Sequence, residues 1–440
     1  MTSDAPLEPG APLEPRAPLE PRAPLEPRTP LEPRTPLEPR TPLEPRAAAT
    51  WVARKLREAG HRSLFAGGCV RDSILGHEAA DFDVATSAIP AEIRQIFPRA
   101  IGVGESFGVM LVRHGGRSIE VATFRADGVY VDGRRPDAVR FSDDREDAAR
   151  RDFTINGLFE DPETGEIIDH VGGRADLAAG ILRAIGSADD RLHEDRLRAL
   201  RAARFAARFG LVIDPGTEAA VRRIAHDLTG VSRERIGNEV RRMLLHRSRA
   251  RAVELIETLG LGVAVLGESA PSCDYATLAA LPATAGVEES LAAWMLGRIP
   301  ADVSPARQRR WREALMLSND ESELLAAILT LRPRIVSTWT GGDRAVRKRL
   351  AAALGFAGAM AMLRSEGHPV AATVDADLPA LRAEGIQPVP FVTGDDLVAM
   401  GMRPGPAFRP MLDRAYDLQL NGGFSDRDAA LAVVREWRDG

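Results

Sequence analysis

Only two cysteines, Cys69 and Cys273, and two lysines, Lys55 and Lys348, occur among the 440 residues. Two cysteines make neither a disulfide framework nor a cysteine-based zinc site, and Cys69, inside a Gly-Gly turn, reads as a small buried residue rather than a nucleophile. With lysine so scarce, nearly all the basic charge is arginine, and in a chain this rich in Ala and Gly that bias points to genomic base composition before phosphate binding. An excess of positive charge is missing too: the net charge of -5 excludes a simple polycationic nucleic-acid binder, though not local basic surfaces. Long apolar runs are also absent. The longest uncharged one, Leu350 to Leu363, falls short of the roughly 20 residues that a membrane span needs, so a cytoplasmic protein without a membrane partner is expected. No feature points to a particular oligomeric state.

What is present begins with a hexapeptide, A/T-P-L-E-P-R, repeated seven times between Ala5 and Arg46, with Gly10 in place of the first Arg. Two prolines per repeat forbid helix and sheet ladders, so residues 1–46 read as a disordered or polyproline-like arm. Its acidic residues and lack of a continuous apolar stretch argue against a targeting signal. The remaining length and 44% hydrophobic content support more than one domain.

Residues 64–83, LFAGGCVRDSILGHEAADFD, organise the rest. Apolar residues run into Gly67-Gly68, a short helix follows, and the segment closes on Asp81-Phe82-Asp83. On a β-strand, D-x-D puts both carboxylates on one side and Phe82 on the other. Two hard carboxylates suit Mg2+, which takes the rest of its shell from water and nucleotide phosphates. The glycine pair lets backbone approach an anion, and Arg71 adds fixed positive charge.

Residues 47–59 read as a helix, AEIRQIF as a short helix, and 107–112 and 117–124 as strands, giving an α/β sheet domain over residues 47–187. In SIEVATF, Glu120 faces away from its apolar neighbours and is either a third acid beside the D-x-D strand or part of a solvated face. Residues 125–141 are rich in Gly, Asp and Arg and are expected to form a mobile connection over the site. In the following ARRDFTINGLFED, Arg150 and Arg151 can reach phosphate or ribose. Asp152 and Asn156 there can bond a sugar hydroxyl or hold the arginines in place.

Beyond residue 187 the pattern is helical. In HEDRLRALRAARFAARFG, Leu197, Leu200 and Phe205 form an apolar stripe, and Arg198, Arg201 and Arg204 a basic one. Asp195 lies three residues before Arg198, on the same expected face. Cytosine and adenine each present an amine donor beside a ring-nitrogen acceptor, whereas uracil and guanine present a carbonyl beside N–H. An acceptor-only carboxylate next to a donor-only guanidinium therefore matches C and A and clashes with U and G. An ordinary intrahelical ion pair explains the same two residues.

GGCVRDSILG with DFDVATSAIPAEI resembles the signature of the class II tRNA nucleotidyltransferase and poly(A) polymerase family, within the DNA polymerase beta-like superfamily. H-E-D-x-x-R-x-x-R-x-x-R-F resembles its nucleobase-reading motif, and VSRERIGNEVRRMLL (231–245) and TGDDLVAMGMRPGPAFRPML (393–412) resemble later elements. The resemblance implies a polymerase beta-like α/β head with a mixed sheet at 47–187, followed by an all-α neck (188–250), body (251–388) and RNA-binding tail (389–440). Together with the strand reading of Glu120, it gives Asp81, Asp83 and Glu120 as the expected catalytic acids, with two Mg2+ ions on Asp81 and Asp83. The nucleotide would be bound by Gly67, Gly68, Arg71, Arg151, Asp152, Asn156, Asp195, Arg198, Arg201 and Arg204. The activity implied is template-independent addition of CCA to the 3′ end of tRNA from CTP and ATP, with pyrophosphate released. A poly(A) polymerase or an enzyme adding only the terminal A is the nearest alternative, and an inactive RNA-binding descendant the more distant one.

Overall fold

The computed structural model describes residues 43–127, 139–270, 272–300 and 302–439. The chain enters through α1 (Pro45–Glu58), where Pro45 occupies a first-turn position that needs no N–H donor. Its Ala48, Ala49, Val52, Ala53 and Leu56 form one buried face against the sheet. Next come β1 (Ser63–Ala66), α2 (Gly68–Ile74), β2 (Val84–Thr86), α3 (Pro90–Ile96), β3 (Ile101–Gly104), β4 (Val109–His114) and β5 (Arg117–Thr123). A hairpin of β6 (Arg125–Asp127) and β7 (Val139–Phe141) precedes α4 (Asp144–Ala149). The head is completed by β8 (Leu158–Glu160), β9 (Ile167–Asp169), α5 (Gly173–Ala179) and β10 (Ile181–Leu182).

The main sheet has the order β3-β4-β5-β2-β1-β8-β9 and is mixed: β2 and β5 run parallel, with Val84 opposite Val121, and the other pairs are antiparallel. Along β5, Ile119, Val121 and Thr123 are buried while Ser118 and Glu120 are exposed, the alternation of a half-buried strand. That pattern turns Glu120 to the open face.

Three sequence expectations shift here. Asp81-Phe82-Asp83 lies on irregular backbone just before β2 rather than on a strand, although the Asp83 carbonyl still accepts from Ala66 N at 3.1 Å. Phe107 ends a single 3-10 turn, Glu105–Phe107, so the strand expected from residue 107 starts at Val109. Strand β3 was not anticipated: it lies at the sheet edge with Ile101 and Val103 exposed, leaving no alternation to read. Phe82 does turn towards the core, half-buried, its ring centroid 5.1 Å from that of Phe65. The expected mobile connection at 125–141 falls largely outside the described residues.

Downstream lie α6 (Ala188–Glu194), α7 (Leu197–Phe209), β11 (Val212–Ile213), α8 (Pro215–Ile224) and α9 (Arg233–Leu244), then further helices from Arg249–Thr258 to Arg427–Asp439. This region is not purely helical, because β11 pairs in parallel with β10 of the head. A two-residue strand is too short to leave a period of two in the sequence. One apolar core runs without interruption from α1 through α7 and α9 to Met362, crossing residues 187 and 250; smaller clusters lie at 331–381 and 392–434. Among the described residues, no helix is long and apolar enough to cross a membrane.

Candidate active site

Strand β1 delivers the chain to Gly67, whose φ of 72° an L side chain rarely adopts, and a Cβ there would stand 2.8 Å from Arg151 Nη1. The turn thus favours glycine through its φ, and a side chain there would push the end of Arg151 aside. Arg71, one turn into α2, is buried; it donates to Asp72 Oδ1 from Nε (2.9 Å) and Nη2 (2.7 Å) and to Asn156 Oδ1. Its guanidinium stacks 4.3 Å from the Phe209 ring centroid, and burial lowers its pKa.

Arg151 is held by Asp147 Oδ2 (2.9 Å from Nη2) and by the Asn156 carbonyl (3.1 Å from Nη1). Burial acts to raise the Asp147 pKa, but Arg151 and Arg150 outweigh it and keep the carboxyl below its usual range. Asp152, also buried, accepts from Asn156 Nδ2 (3.0 Å), its neighbour's N–H at Phe153 (2.8 Å) and Arg201 Nε (2.7 Å). Burial again acts upward on Asp152, and Arg201 and Asn156 bring it down. Asp152 and Asn156 therefore hold arginines from two sides of the site.

The parallel register of β2 and β5 brings Glu120, one residue before Val121, alongside Asp83, one residue before Val84. Asp83 and Glu120 line a cavity of about 700 Å3, and with Asp81 they also line a neighbouring one of about 410 Å3. Protein crowds Asp83 although its carboxylate still meets solvent. This desolvation, then the like charges of Glu120 and Asp81, overcome Arg151 and push its pKa up to about 6. Acids that repel one another in this way favour a cation between them. Among the described residues no group of three or more His, Cys, Asp or Glu is arranged to hold a metal by itself. Two carboxylates completed by phosphate oxygens and water still fit the needs of Mg2+.

The arginine stripe of α7 is present as expected: Arg198, Arg201 and Arg204 all line the larger cavity, opposite Gly67, Gly68, Arg71 and Arg151. The expected Asp195–Arg198 pair on one helix face is not. Helix α6 ends at Glu194, Asp195 has extended backbone (φ −151°, ψ 102°), and α7 starts at Leu197. The Asp195 carboxylate accepts from Leu197 N (3.1 Å) and from Arg235 Nη2 of α9 (2.6 Å). Arg198 donates instead to Glu194 Oε2 (2.6 Å), the Arg191 carbonyl (2.9 Å) and the Arg150 carbonyl (3.3 Å). Both side chains nevertheless line the cavity.

Sequence reasoning missed Arg208, Arg235 and Arg242, which line the same cavity, and Glu239, the buried partner of Arg204. Arg208 continues the α7 stripe and was open to the same periodicity. Arg235 and Glu239 stand four apart in VSRERIGNEVRR, a spacing that puts them on one face of α9, but nothing local names their partners on α7.

With the acids at the β2–β5 seam and the glycine turn on the adjoining strand of a mixed sheet, the head falls in the polymerase beta-like class of nucleotidyltransferases. Residues 63–183 match the family model described as the poly A polymerase head domain, and 210–271 match one described as a probable RNA and SrmB-binding site of polymerase A. The chain is 32% identical over 390 residues to the CCA-adding enzyme of Lactobacillus delbrueckii subsp. bulgaricus, covering 87% of this chain and 95% of that one. It is 37% identical over 282 residues to that of Lactobacillus johnsonii, covering 63% and 71%. The crystal structure of the Bacillus stearothermophilus CCA-adding enzyme in complex with CTP superposes with a TM-score of 0.74 at 27% identity, over 90% of this chain and 98% of that one. The Thermotoga maritima CCA-adding enzyme complexed with tRNA shares the fold, with a TM-score of 0.65 at 17% identity, over 88% and 94%. The chain belongs to this family, the bacterial CCA-adding enzymes of the class II nucleotidyltransferases.

Proposed function

We infer that the cavity between head and α7 is where this template-independent, CCA-adding tRNA nucleotidyltransferase joins CTP and ATP to the RNA 3′ end. The observation that carries the reading is that the Gly67–Gly68 turn, Arg71, Arg151, Asp83, Glu120, Asp195 and the α7 arginines all line one space. In the reaction the RNA 3′-hydroxyl attacks the α-phosphorus of the nucleotide and pyrophosphate leaves.

Gly68, Arg71 and Arg151 clamp the triphosphate, and the hydrogen bonds of the two arginines to Asp72, Asp147 and Asn156 keep them in position before substrate arrives. Asp81 and Asp83 would hold two Mg2+ ions, which supply activation of the 3′-hydroxyl and charge neutralisation at the leaving pyrophosphate. Glu120 adds a third negative charge beside Asp83. Asp152 and Asn156 orient Arg201 and Arg71. Arg201 and Arg204 give the cavity wall its positive charge. Asp195 and Arg198 read the base, admitting C and A and rejecting U and G. Residues 47–187 then serve as catalytic head, 188–250 as the neck that reads the base and binds RNA, 251–388 as the helical body, and 389–440 as the RNA-binding tail.

The test is incubation with Mg2+ and tRNA ending before its CCA, with the 3′ ends sequenced. CTP alone should give two C residues, and CTP with ATP should give CCA and then stop. A long A tail, or a single A added only to ends already carrying CC, overturns the assignment of both nucleotides to this site.

A further inference from the structure

Leu43 to Arg46, the end of the last hexapeptide repeat, run into the head. The Leu43 N–H donates to the Gly115 carbonyl at 2.9 Å, and the Leu43 carbonyl accepts from Arg117 Nε. Pro45 lines the smaller cavity together with Asp81, Asp83 and Glu120. The repeat thus ends against the acids rather than apart from them. Arg46 follows in the first turn of α1, which carries no acidic residue. A cation at that end of a helix is disfavoured by the helix dipole, so contacts from elsewhere hold it there. One is Glu160 of β8, a buried carboxylate whose one ionic partner among the described residues is Arg46. The others are two rings: the guanidinium carbon of Arg46 lies 5.3 Å from the Phe65 centroid and 5.6 Å from that of Phe82, within cation–π reach of both.

Phe82 is the residue between the two acids of Asp81-Phe82-Asp83. On its far side the Asp83 carbonyl is tied to Ala66 N at 3.1 Å. On its near side, among the described residues, no hydrogen bond holds residues 78–82. Packing alone places that stretch, with Ala79 and Phe82 against the main core. The Phe82 ring meets Phe65 edge-on at 62°, and Arg46 covers the pair. Phe65 in turn stands opposite Glu160 in the β1–β8 register, so the anchor of Arg46 and the ring beneath it belong to one rigid piece of sheet. Where the Phe82 ring is held, the Asp81 and Asp83 backbone is held too.

Resting on the reading of Asp81 and Asp83 as the metal-binding acids, we propose that Arg46 is a positioning residue: anchored on Glu160, it pins the Phe82 ring and so sets the two carboxylates for a divalent cation. The sign of its effect separates this from electrostatics. A positive charge near the acids by itself opposes cation binding, so losing only the charge would tighten the metal, whereas losing the hold on Phe82 loosens it.

The experiment titrates Mn2+ into the full chain with CTP and without tRNA, read by EPR against CTP alone and against Asp83→Asn. Wild-type protein should bind Mn2+ in a way that Asp83→Asn removes. Arg46→Gln should weaken that binding about five- to tenfold, and raise the Mg2+ needed for half-maximal incorporation by a similar factor. In a Phe82→Leu background the same substitution should add less than about a twofold change, because the ring through which Arg46 acts is gone. Where Arg46→Gln fails to fold with Glu160 left unpaired, Arg46→Gln combined with Glu160→Gln removes that buried charge and should show the same weakening. Mn2+ affinity that is unchanged or tighter in Arg46→Gln, with or without a fall in Tm, overturns the inference, as does an equal loss in both backgrounds. If wild-type protein and Asp83→Asn bind Mn2+ alike, the reading of the acids falls and the role of Arg46 falls with it; if they differ and Arg46→Gln matches wild type, only Arg46 is removed.

Discussion

Arg201 of α7 donates from Nε to Asp152 of the head at 2.7 Å, so the helical region and the sheet domain meet in an ion pair at the cavity wall. Asp152 is buried, and its pKa lies below the usual carboxylate range despite that burial. Asp152→Ala leaves the Arg201 guanidinium without its main partner. Breaking a buried pair in this way costs roughly 3–5 kcal/mol, and since Arg201 is partly open to solvent the lower end applies. The expected outcome is a fall in Tm together with loss of nucleotide incorporation, checked by calorimetry and primer extension. Unchanged Tm would mean that the pair does not tie the two parts together.

Asp81→Asn and Asp83→Asn remove the negative charge proposed to hold Mg2+. Each should lower kcat at least about 100-fold, with tRNA affinity in a filter assay unchanged. Chelation with EDTA should abolish incorporation by wild-type protein and added Mg2+ should restore it. Activity that survives either substitution within a few-fold rules out that acid as a metal ligand.

Gly67→Ala forces a side chain into a left-handed conformation and sets its Cβ 2.8 Å from Arg151 Nη1. The conformational strain is about 1–2 kcal/mol, and displacement of Arg151 weakens the grip on the triphosphate. An increase of about tenfold in KM for CTP and for ATP alike is expected in steady-state kinetics. An effect on one nucleotide only would show that Gly67 acts on the base and not on phosphate.

Glu321 accepts from Arg241 Nε (2.7 Å) and Nη2 (2.8 Å), joining α9 to the body helix Asn319–Thr338. The Arg241 hydrogen bonds lower its pKa to about 2, against the opposing effect of burial. A carboxyl with a depressed folded-state pKa contributes stability that is present above its ordinary value of 4.5 and lost as pH falls towards 2. Urea midpoints should therefore be lower for Glu321→Gln than for wild type at pH 7, with the gap, on the order of 1–3 kcal/mol, shrinking at pH 3. A gap independent of pH would assign the loss to packing.

Glu120 was legible because β5 alternates cleanly, and the glycine turn because strand, Gly-Gly and helix follow one another within a few residues. The Asp195–Arg198 geometry was not. HEDRLRALRAARF keeps a helical period through the break and carries neither Gly nor Pro there, so periodicity joins what the fold separates. Asp195 two residues before Leu197 is a helix-start residue type, and that signal could have marked the break. Its fixing partner, Arg235, arrives from α9, a tertiary contact that no local rule supplies. Edge strand β3 and the two-residue β11 escaped for the simpler reason that neither leaves a period.

The β10–β11 pair has a mechanical meaning. Val212 N–H bonds to the Gly180 carbonyl and Asp214 N–H to that of Leu182, stitching the chain that leaves α7 onto the chain that leaves the sheet. A common apolar core runs on either side of that seam, so the two walls of the cavity are tied together through it. Amide exchange at Val212 and Asp214 should then be as slow as in the central strands. On the function proposed above, exchange that slow would leave the accommodation of successive nucleotides to side chains and to the growing RNA end.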